Sequence, residues 1–195
     1  MKKPKPKKRE KQKRASLDVG SDANDAPEQI PDLPPVSVGD AAPDFLLPGA
    51  HGGRRGLNGL IASGPALVVF FKTTCKSSQI VMPLYGEIER RYGDVVPVVA
   101  IAQDTVEIAE PWLTDRRFAG PVLSDVPAYE VSAAYGLLGL PTAVLVNRDG
   151  VVLEALVGWS RDATNALAAR LGRLTARDER AVSSPNDGRI AFRPG

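Results

Sequence analysis

A run of apolar residues that leads directly into the only cysteine of the chain is the feature that most constrains the fold. The segment "PALVVFFKTTCKSSQ" covers residues 65–79, and Cys75 is the single cysteine among 195 residues. Its first part predicts a buried β-strand, because it is apolar and rich in β-branched and aromatic residues. The residues after Cys75 follow a helical pattern. The cysteine therefore lies where a strand ends and a helix begins.

The helix predicted after the cysteine covers residues 77–92. Its apolar residues recur at intervals of four and share one helical face: Ile80, Leu84, Ile88 and Tyr92. We expect Pro83 to kink this helix without ending it, because the apolar pattern continues past the proline. The next segment, "GDVVPVVAIAQD", is apolar and β-branched and predicts a second buried strand.

The following segments continue the alternation of strands and helices. "TVEIAEPWLTDRRF" predicts a helix interrupted at Pro111, "GPVLSD" a short strand and "YEVSAAYGL" another helix. "LPTAVLVNRDGVVLEALVGW" predicts two antiparallel strands joined by a turn at Asp149 and Gly150. "SRDATNALAARLGRL" predicts a last helix, with Ser160 or Asp162 as its N-cap. The predicted order is strand, helix, strand, helix, strand, strand, helix, after a short entry strand in "DFLLPG".

The charge of the chain is unevenly distributed. The total is +2, but residues 1–14 hold nine Lys or Arg and one Glu, a local sum of +8, so the remaining residues sum to −6. Residues 1–36 are basic at first, then acidic and proline-rich, with few large apolar residues, and we expect them to be disordered. The basic run is either a solvated tail or a weak electrostatic contact with nucleic acid or an anionic membrane.

Several classes of protein are disfavoured by what the sequence contains. The basic start is not followed by the apolar segment of a secretory signal, and no apolar run is long enough to cross a bilayer. A single cysteine cannot form an internal disulfide, and a free thiol suits a reducing compartment, so we expect a cytoplasmic protein. Residues 175–195 lack periodicity, and we expect them to be mostly unstructured.

No bound cofactor or metal is expected from the sequence. It has no glycine-rich phosphate loop and no cluster of metal-ligand residues, and His51 is the only histidine. A lone histidine in the glycine-rich segment "GAHGGRR" is most simply an exposed loop residue.

The order of elements, with a cysteine at a strand–helix junction and a proline opening the hairpin, resembles the thioredoxin fold. The chain is most similar to the redoxin branch, which contains AhpC/TSA domains and TlpA-type thiol-disulfide oxidoreductases. The similar segments are "VVFFKTTC", "AIAQD", "AYGLLGLPT" and "NRDGVV". The resemblance implies an α/β fold, a thioredoxin-like three-layer sandwich with a mixed central sheet and helices on both faces. It places this domain at residues 37–174.

The position of Cys75 predicts a reactive thiol. A cysteine at the start of a helix faces unpaired backbone N–H groups and the positive end of the helix dipole, which favour the thiolate, and Lys76 adds a cation. The resemblance implies that the Leu140–Pro141 bond is cis and packs against the sulfur. It would leave the backbone of Leu140 free to pair with an extended substrate segment. We therefore assign Thr74, Leu140 and Pro141 to substrate binding.

The sequence departs from the family patterns at three positions. Thiol-disulfide oxidoreductases of this kind usually carry C-x-x-C, but Ser78 holds the place of the second cysteine, so no dithiol cycle is possible within the chain. Ser78 can still donate a hydrogen bond to a Cys75 thiolate. Lys72 replaces the threonine or serine that binds peroxide in peroxide-reducing members, although two threonines follow it. Val69 replaces the buried strand acid of thioredoxin, which makes Asp104 the candidate proton acceptor.

Two functional hypotheses remain open on the sequence. In the first, Cys75 is the nucleophile of a monothiol oxidoreductase that acts on disulfides, mixed disulfides or peroxides in cell redox homeostasis and antioxidant defence. A low-molecular-weight thiol or a protein thiol would then resolve the adduct, because the chain has no second cysteine. In the second, the domain is a redox-inactive thioredoxin-fold interaction module. The sequence leaves the oligomeric state open.

Overall fold

The two apolar runs form neighbouring parallel strands joined by a helix. β3 (Ala66–Phe71) and β4 (Val98–Ala102) are buried along their whole length and pair in parallel, as a strand–helix–strand unit requires. The connecting helix, α2, spans Lys76–Tyr92. The structure is a computed structural model that describes Met1 and residues 33–195.

The central sheet has five strands in the order β5-β4-β3-β6-β7. β5 (Val122–Ser124) pairs in parallel with β4, while β6 (Thr142–Val146) pairs antiparallel with β3. β7 (Val152–Val157) pairs antiparallel with β6, which gives the predicted hairpin. The mixed sheet and the thioredoxin-like fold class are therefore confirmed.

The remaining elements lie around this sheet. They are β1 (Leu46–Pro48), β2 (Arg54–Gly56), α1 (Leu57–Ile61), α3 (Val106–Thr114), α4 (Glu130–Ala134), β8 (Trp159–Ser160), α5 (Arg161–Leu174) and β9 (Phe192–Arg193). β1 pairs with β2, and β8 with β9, as two small antiparallel sheets. Ser160 caps α5, because its side chain accepts a hydrogen bond from the Ala163 N–H at 3.3 Å.

Side chains alternate between the two faces of the sheet and build a core on each. Leu67, Val69 and Phe71 of β3 pack with side chains of α2, α3 and α5. Val68 and Phe70 face the other way and pack with side chains of α1 and α4. The period of two along a strand therefore explains why a fully apolar β3 is needed, with helices on both faces.

Both helices that contain a proline continue past it. α2 runs beyond Pro83, as predicted. The predicted interruption at Pro111 was wrong, because α3 continues to Thr114. Its last turn is kept by Leu113, which is fully buried, and by the Thr114 hydroxyl, which donates to the Glu110 carbonyl oxygen at 3.0 Å. Burial of one side chain outweighs the hydrogen bond that the proline cannot make.

The prediction that residues 175–195 are mostly unstructured was wrong, because this segment contacts the domain along its length. The Tyr92 hydroxyl donates to the carbonyl oxygen of Asp178 at 2.8 Å. The indole N–H of Trp159 donates to the carbonyl oxygen of Ile190 at 2.7 Å, and β9 then pairs with β8. These contacts are polar and join residues far apart in sequence, so they leave no periodic apolar pattern.

A partly exposed carboxylate holds the turn before β9. Asp187 accepts hydrogen bonds from the Ser183 hydroxyl at 2.5 Å and from the Arg189 N–H at 3.0 Å, and it lies 3.4 Å from a guanidinium nitrogen of Arg161 in α5. The Ser183 hydrogen bond, then the Arg189 N–H and guanidinium, hold the pKa of Asp187 well below its usual range. The carboxylate therefore remains charged and keeps residues 183–189 against α5.

The N-terminal predictions lie almost wholly outside the described residues. The tail of residues 1–36, with its basic run, overlaps the described part only at Met1 and at its last four residues. Of these, Val36 donates its N–H to the carbonyl oxygen of Tyr135 at 3.1 Å. Within the described residues, no helix is both long and apolar enough to cross a membrane.

Two buried tyrosines predict opposite effects of removing a hydroxyl. Tyr135 has no hydrogen-bond partner for its hydroxyl among the described residues, and burial raises its pKa. Tyr92 has one on Asp178. We expect Tyr135→Phe to leave the free energy of unfolding unchanged or raise it, and Tyr92→Phe to lower it by about 1 kcal/mol. Urea unfolding of the two variants measures the difference. Equal losses in both would contradict this assignment of the hydroxyls.

Candidate active site around Cys75

Cys75 is the N-cap residue of α2. Its backbone is extended, with φ −72° and ψ 122°, and its carbonyl oxygen accepts the Gln79 N–H at 3.0 Å, the first bond of the helix. The side chain is partly exposed, and the first turn of α2 contains no acidic residue. The thiol therefore sits at the positive end of a 17-residue helix, with no carboxylate in that turn to offset the dipole.

The sulfur contacts the residue that precedes β6. Cys75 Sγ donates a hydrogen bond to the carbonyl oxygen of Leu140 at 3.1 Å, and the Leu140–Pro141 bond is cis. This contact requires the neutral thiol, because a thiolate has no hydrogen to donate. The carbonyl interaction therefore requires the protonated sulfur, whereas the positive end of the helix dipole attracts a negatively charged one. The sequence alone predicts only the influence of the helix start.

Ser78, at the position of the missing second cysteine, is fully buried. Its hydroxyl oxygen accepts a long hydrogen bond of 3.5 Å from the Lys72 N–H. This bond links the end of β3 to the first turn of α2. The predicted hydrogen bond from Ser78 to Cys75 is not among those of the described residues. Its effect on the thiolate stays a prediction.

Asp104 fastens the loop that carries the cysteine. Its carboxylate accepts the Thr73 N–H at 2.7 Å, and Gln79 donates its side-chain amide to the Thr73 carbonyl oxygen at 3.2 Å. The Ser124 hydroxyl in turn donates to the carbonyl oxygen of Asp104 at 3.0 Å. The hydrogen bond to this carboxylate therefore comes from the loop backbone and not from the sulfur. Its role as proton acceptor stays a prediction.

Two clefts open onto Cys75. The first, the loop cleft, has a volume of about 350 Å³ and is lined by Lys72, Thr74 and Cys75 on one side and by residues 137–140 on the other. It brings together three residues that the sequence pointed to, namely Thr74, Cys75 and Leu140. It also contains Leu138, whose side chain is 78% exposed. The exposed side chain gives this cleft an apolar surface.

The second cleft, the wall cleft, has a volume of about 540 Å³ and was not predicted. Cys75, Lys76 and Ser77 line one side, and the other is formed by residues 190 and 192–195. We call residues 190–195 the C-terminal wall. The Ser77 hydroxyl donates to the carbonyl oxygen of Pro194 at 2.6 Å, which joins the wall to the first turn of α2. No local sequence signal marks this segment, because it is held by long-range contacts.

The C-terminal wall also covers the backbone that was expected to be free for substrate. A Cβ atom on Gly195 would lie 2.8 Å from the backbone nitrogen of Leu140, and one on Gly139 would lie 2.9 Å from the carbonyl carbon of Gly195. Backbone is therefore packed on backbone at this point. The expectation that Leu140 is free to pair with an extended segment was wrong.

The only histidine of the chain lies elsewhere. His51 is exposed and its Nε2 is 2.9 Å from Glu110 Oε1. In the part of the chain that the structure describes, no group of three His, Cys, Asp or Glu side chains is placed to hold a metal ion.

Comparisons with known proteins identify relatives of the domain. The model of the AhpC/TSA family matches residues 38–155. The thiol-disulfide oxidoreductase ResA of Bacillus thuringiensis (strain Al Hakam) is 28% identical over 125 residues, which cover 63% of this chain and 71% of ResA. The match to the family ends within β7, so α5 and the C-terminal wall lie beyond it.

Two solved structures share the fold at similar levels of identity. A protein assigned as the thiol:disulfide interchange protein DsbE of Chlorobium tepidum is 27% identical, with a TM-score of 0.63, and the match covers 72% of this chain and 98% of that one. Peroxidoxin BcpB of Mycobacterium tuberculosis is 26% identical, with a TM-score of 0.61, and the match covers 71% and 97%. The similar proteins thus include some named for thiol-disulfide exchange and one named a peroxidoxin.

Substitution of Asp104 separates its two roles. We expect Asp104→Ala to change the rate of Cys75 alkylation by iodoacetamide about fivefold, because it leaves the Thr73 N–H without its partner and loosens the loop. Asp104→Asn should stay within about twofold of wild type, since the amide oxygen can still accept that N–H. If both variants alkylate alike, the carboxylate does not position the loop. If Asp104→Asn alkylates normally but loses disulfide exchange, it acts as the proton acceptor.

Proposed function

The chain belongs to the AhpC/TSA family, and on that basis we propose that it is a thiol-disulfide oxidoreductase that works with the single cysteine Cys75. The observation that carries this proposal is the placement of a partly exposed thiol at the start of α2 with two clefts open to it. The similarity to ResA and to the DsbE structure supports disulfide exchange as the reaction.

The first step is attack of the Cys75 thiolate on one sulfur of a disulfide. The S–S bond of the substrate breaks as a new S–S bond forms to Cys75, and the other substrate sulfur leaves as a thiolate that then takes a proton. No external oxidant or reductant is consumed in this step. For the attack, the sulfur must give up its proton and its contact with the Leu140 carbonyl, after which the helix start and Lys76 stabilise the anion.

The second step requires a thiol from outside the chain. Ser78 occupies the position of a resolving cysteine, but a hydroxyl cannot form a disulfide, and this side chain is fully buried. A small thiol or a partner protein must supply a thiolate that attacks the mixed disulfide and releases Cys75. Such thiols are abundant in the cytoplasm, and a cytoplasmic location remains part of the proposal.

Oxidation by a peroxide is a second candidate, supported by the similarity to the BcpB structure. The Cys75 thiolate would attack the O–O bond, become sulfenate and release water or an alcohol, and an external thiol would reduce it. Lys72 and Thr73 favour disulfide exchange over this reaction. Lys72 occupies the place of the peroxide-binding threonine, and the N–H of Thr73 is already engaged by Asp104.

An interaction module without redox chemistry is the alternative from another functional class. The hydrogen bond from Cys75 to the Leu140 carbonyl favours the thiol form and is the observation on its side. The two hypotheses differ in one measurable property. An oxidoreductase passes through a Cys75 mixed disulfide that turns over, and an interaction module does not.

The proposal predicts turnover that depends on both Cys75 and an external thiol. In an assay of protein mixed-disulfide reduction by glutathione, we expect activity in wild type and none in Cys75→Ser. We expect Ser78→Cys to form an internal disulfide and to work with less glutathione, since it restores the missing thiol. The control is Ser63→Cys, which adds an exposed cysteine in the turn between α1 and β3, away from the site. Wild-type turnover equal to that of Cys75→Ser would leave the interaction module as the function.

A further inference from the structure

The C-terminal wall is held at three points around Cys75. The Trp159 indole donates to the carbonyl oxygen of Ile190 at 2.7 Å, and the Arg161 N–H donates to that of Ala191 at 2.9 Å. At the far end, the Ser77 hydroxyl donates to the carbonyl oxygen of Pro194 at 2.6 Å. The wall is thus attached to β8, to the start of α5 and to the start of α2. It is a fixed side of the cleft and not a loose end lying across it.

The position of the wall limits the size of what can reach the sulfur from this side. Gly195 packs directly on Gly139 and Leu140, at the backbone edge where an extended protein segment would pair. A peptide strand therefore cannot lie along this edge while the wall is in place. The space that remains, about 540 Å³ beside Cys75, suits a small molecule.

The charged side chains that line the wall cleft are both basic, and in the structure the backbone carboxylate of Gly195 lies on the wall beside them. Lys76 projects from the first turn of α2 and Arg193 belongs to β9, on the opposite side. Among the described residues, neither forms an ion pair with a carboxylate, and no Asp or Glu lines this cleft. Phe192, 64% exposed, adds an apolar surface. The two cations exceed the single Gly195 carboxylate, and a net positive cleft beside a thiol matches a ligand with one or more carboxylates.

We propose that the wall cleft binds a small thiol that carries carboxylates, as the half of a mixed disulfide joined to Cys75, with Arg193 as a specificity-determining residue. This inference rests on the proposed function. The Cys75 thiolate attacks the sulfur of the small thiol in its disulfide with a protein, and the protein sulfur leaves as a thiolate. A second small thiolate then attacks the bound sulfur, an S–S bond forms between the two small thiols, and Cys75 leaves as a thiolate.

The test compares disulfides of matched size and different charge. 3,3′-Dithiodipropionate is anionic, 2-hydroxyethyl disulfide is neutral and cystamine is cationic. The rate at which each modifies Cys75 of the full chain is followed by intact mass. We expect the anionic reagent to react fastest in wild type, by at least about threefold over the neutral one, and cystamine slowest. The order should flatten in about 1 M salt, where the Debye length is ~3 Å.

The variant Arg193→Glu should remove or reverse this order. Arg148→Glu, an equal change of charge in the exposed turn between β6 and β7, should preserve it. Trp159 fluorescence checks that the wall stays attached in both variants, because its indole is bonded to Ile190. An unchanged order in Arg193→Glu overturns the inference and leaves the proposed function intact. Failure of Cys75 to react with any of the three disulfides overturns both.

A second variant tests the wall itself without changing a charge. Gly139→Ala adds a Cβ that would lie 2.9 Å from the carbonyl carbon of Gly195, so the end of the wall must move away from Leu140. We expect the reaction of Cys75 with a disulfide-linked peptide to accelerate at least about threefold relative to the small disulfides, while the charge order among the small disulfides stays the same. No gain for the peptide would contradict the role of the wall in excluding extended segments.

Discussion

The pairing of β3 on both of its edges is the constraint on which the site depends. β3 is fully buried, so its register is fixed by side chains on two faces and by ladders to β4 and β6. Phe70, near its end, is opposite Thr142 at the start of β6. The loop that leaves β3 and the loop that enters β6 must therefore emerge side by side. Cys75 and Leu140, 65 residues apart in sequence, meet at hydrogen-bonding distance for that reason.

The same geometry puts two opposing influences on one sulfur. The start of α2 and Lys76 place positive charge near the sulfur, whereas the Leu140 carbonyl accepts a hydrogen that only the neutral thiol has. A substrate that enters between Cys75 and Leu140 would separate the thiol from that carbonyl.

Much of the fold could be predicted because its signals are local. The apolar run of β3, the four-residue repeat in α2 and the turn at Asp149 and Gly150 each depend on neighbouring residues. The predicted strand and helix together placed Cys75 at the junction between them. The contact of Asp104 with Thr73 could not be derived in the same way, because it depends on β4 lying next to β3. Its place at the end of a strand suggested the site but not the partner.

The C-terminal segment escaped prediction for a different physical reason. Its order comes from carbonyl oxygens and charged side chains that find partners on α2, β8 and α5, as Asp187 does with Arg161. Single polar contacts of this kind contribute little each, and nothing in the local sequence distinguishes them from solvated groups. Contacts spread over three elements act together, since each one reduces the entropy that the next must overcome.

The proposed one-cysteine reaction would give the C-terminal wall a role in the chemistry. When a second cysteine is present, the mixed disulfide is resolved within the chain. The residues around the site then need not select an external thiol. With Ser78 in that place, the adduct on Cys75 waits for an outside thiol, and its lifetime is set by what can approach the sulfur. Under the proposal, a fixed wall that excludes extended segments and carries a cation at Arg193 would select that thiol by size and by charge. The absence of an internal resolving thiol and the presence of the wall would then be two parts of one mechanism.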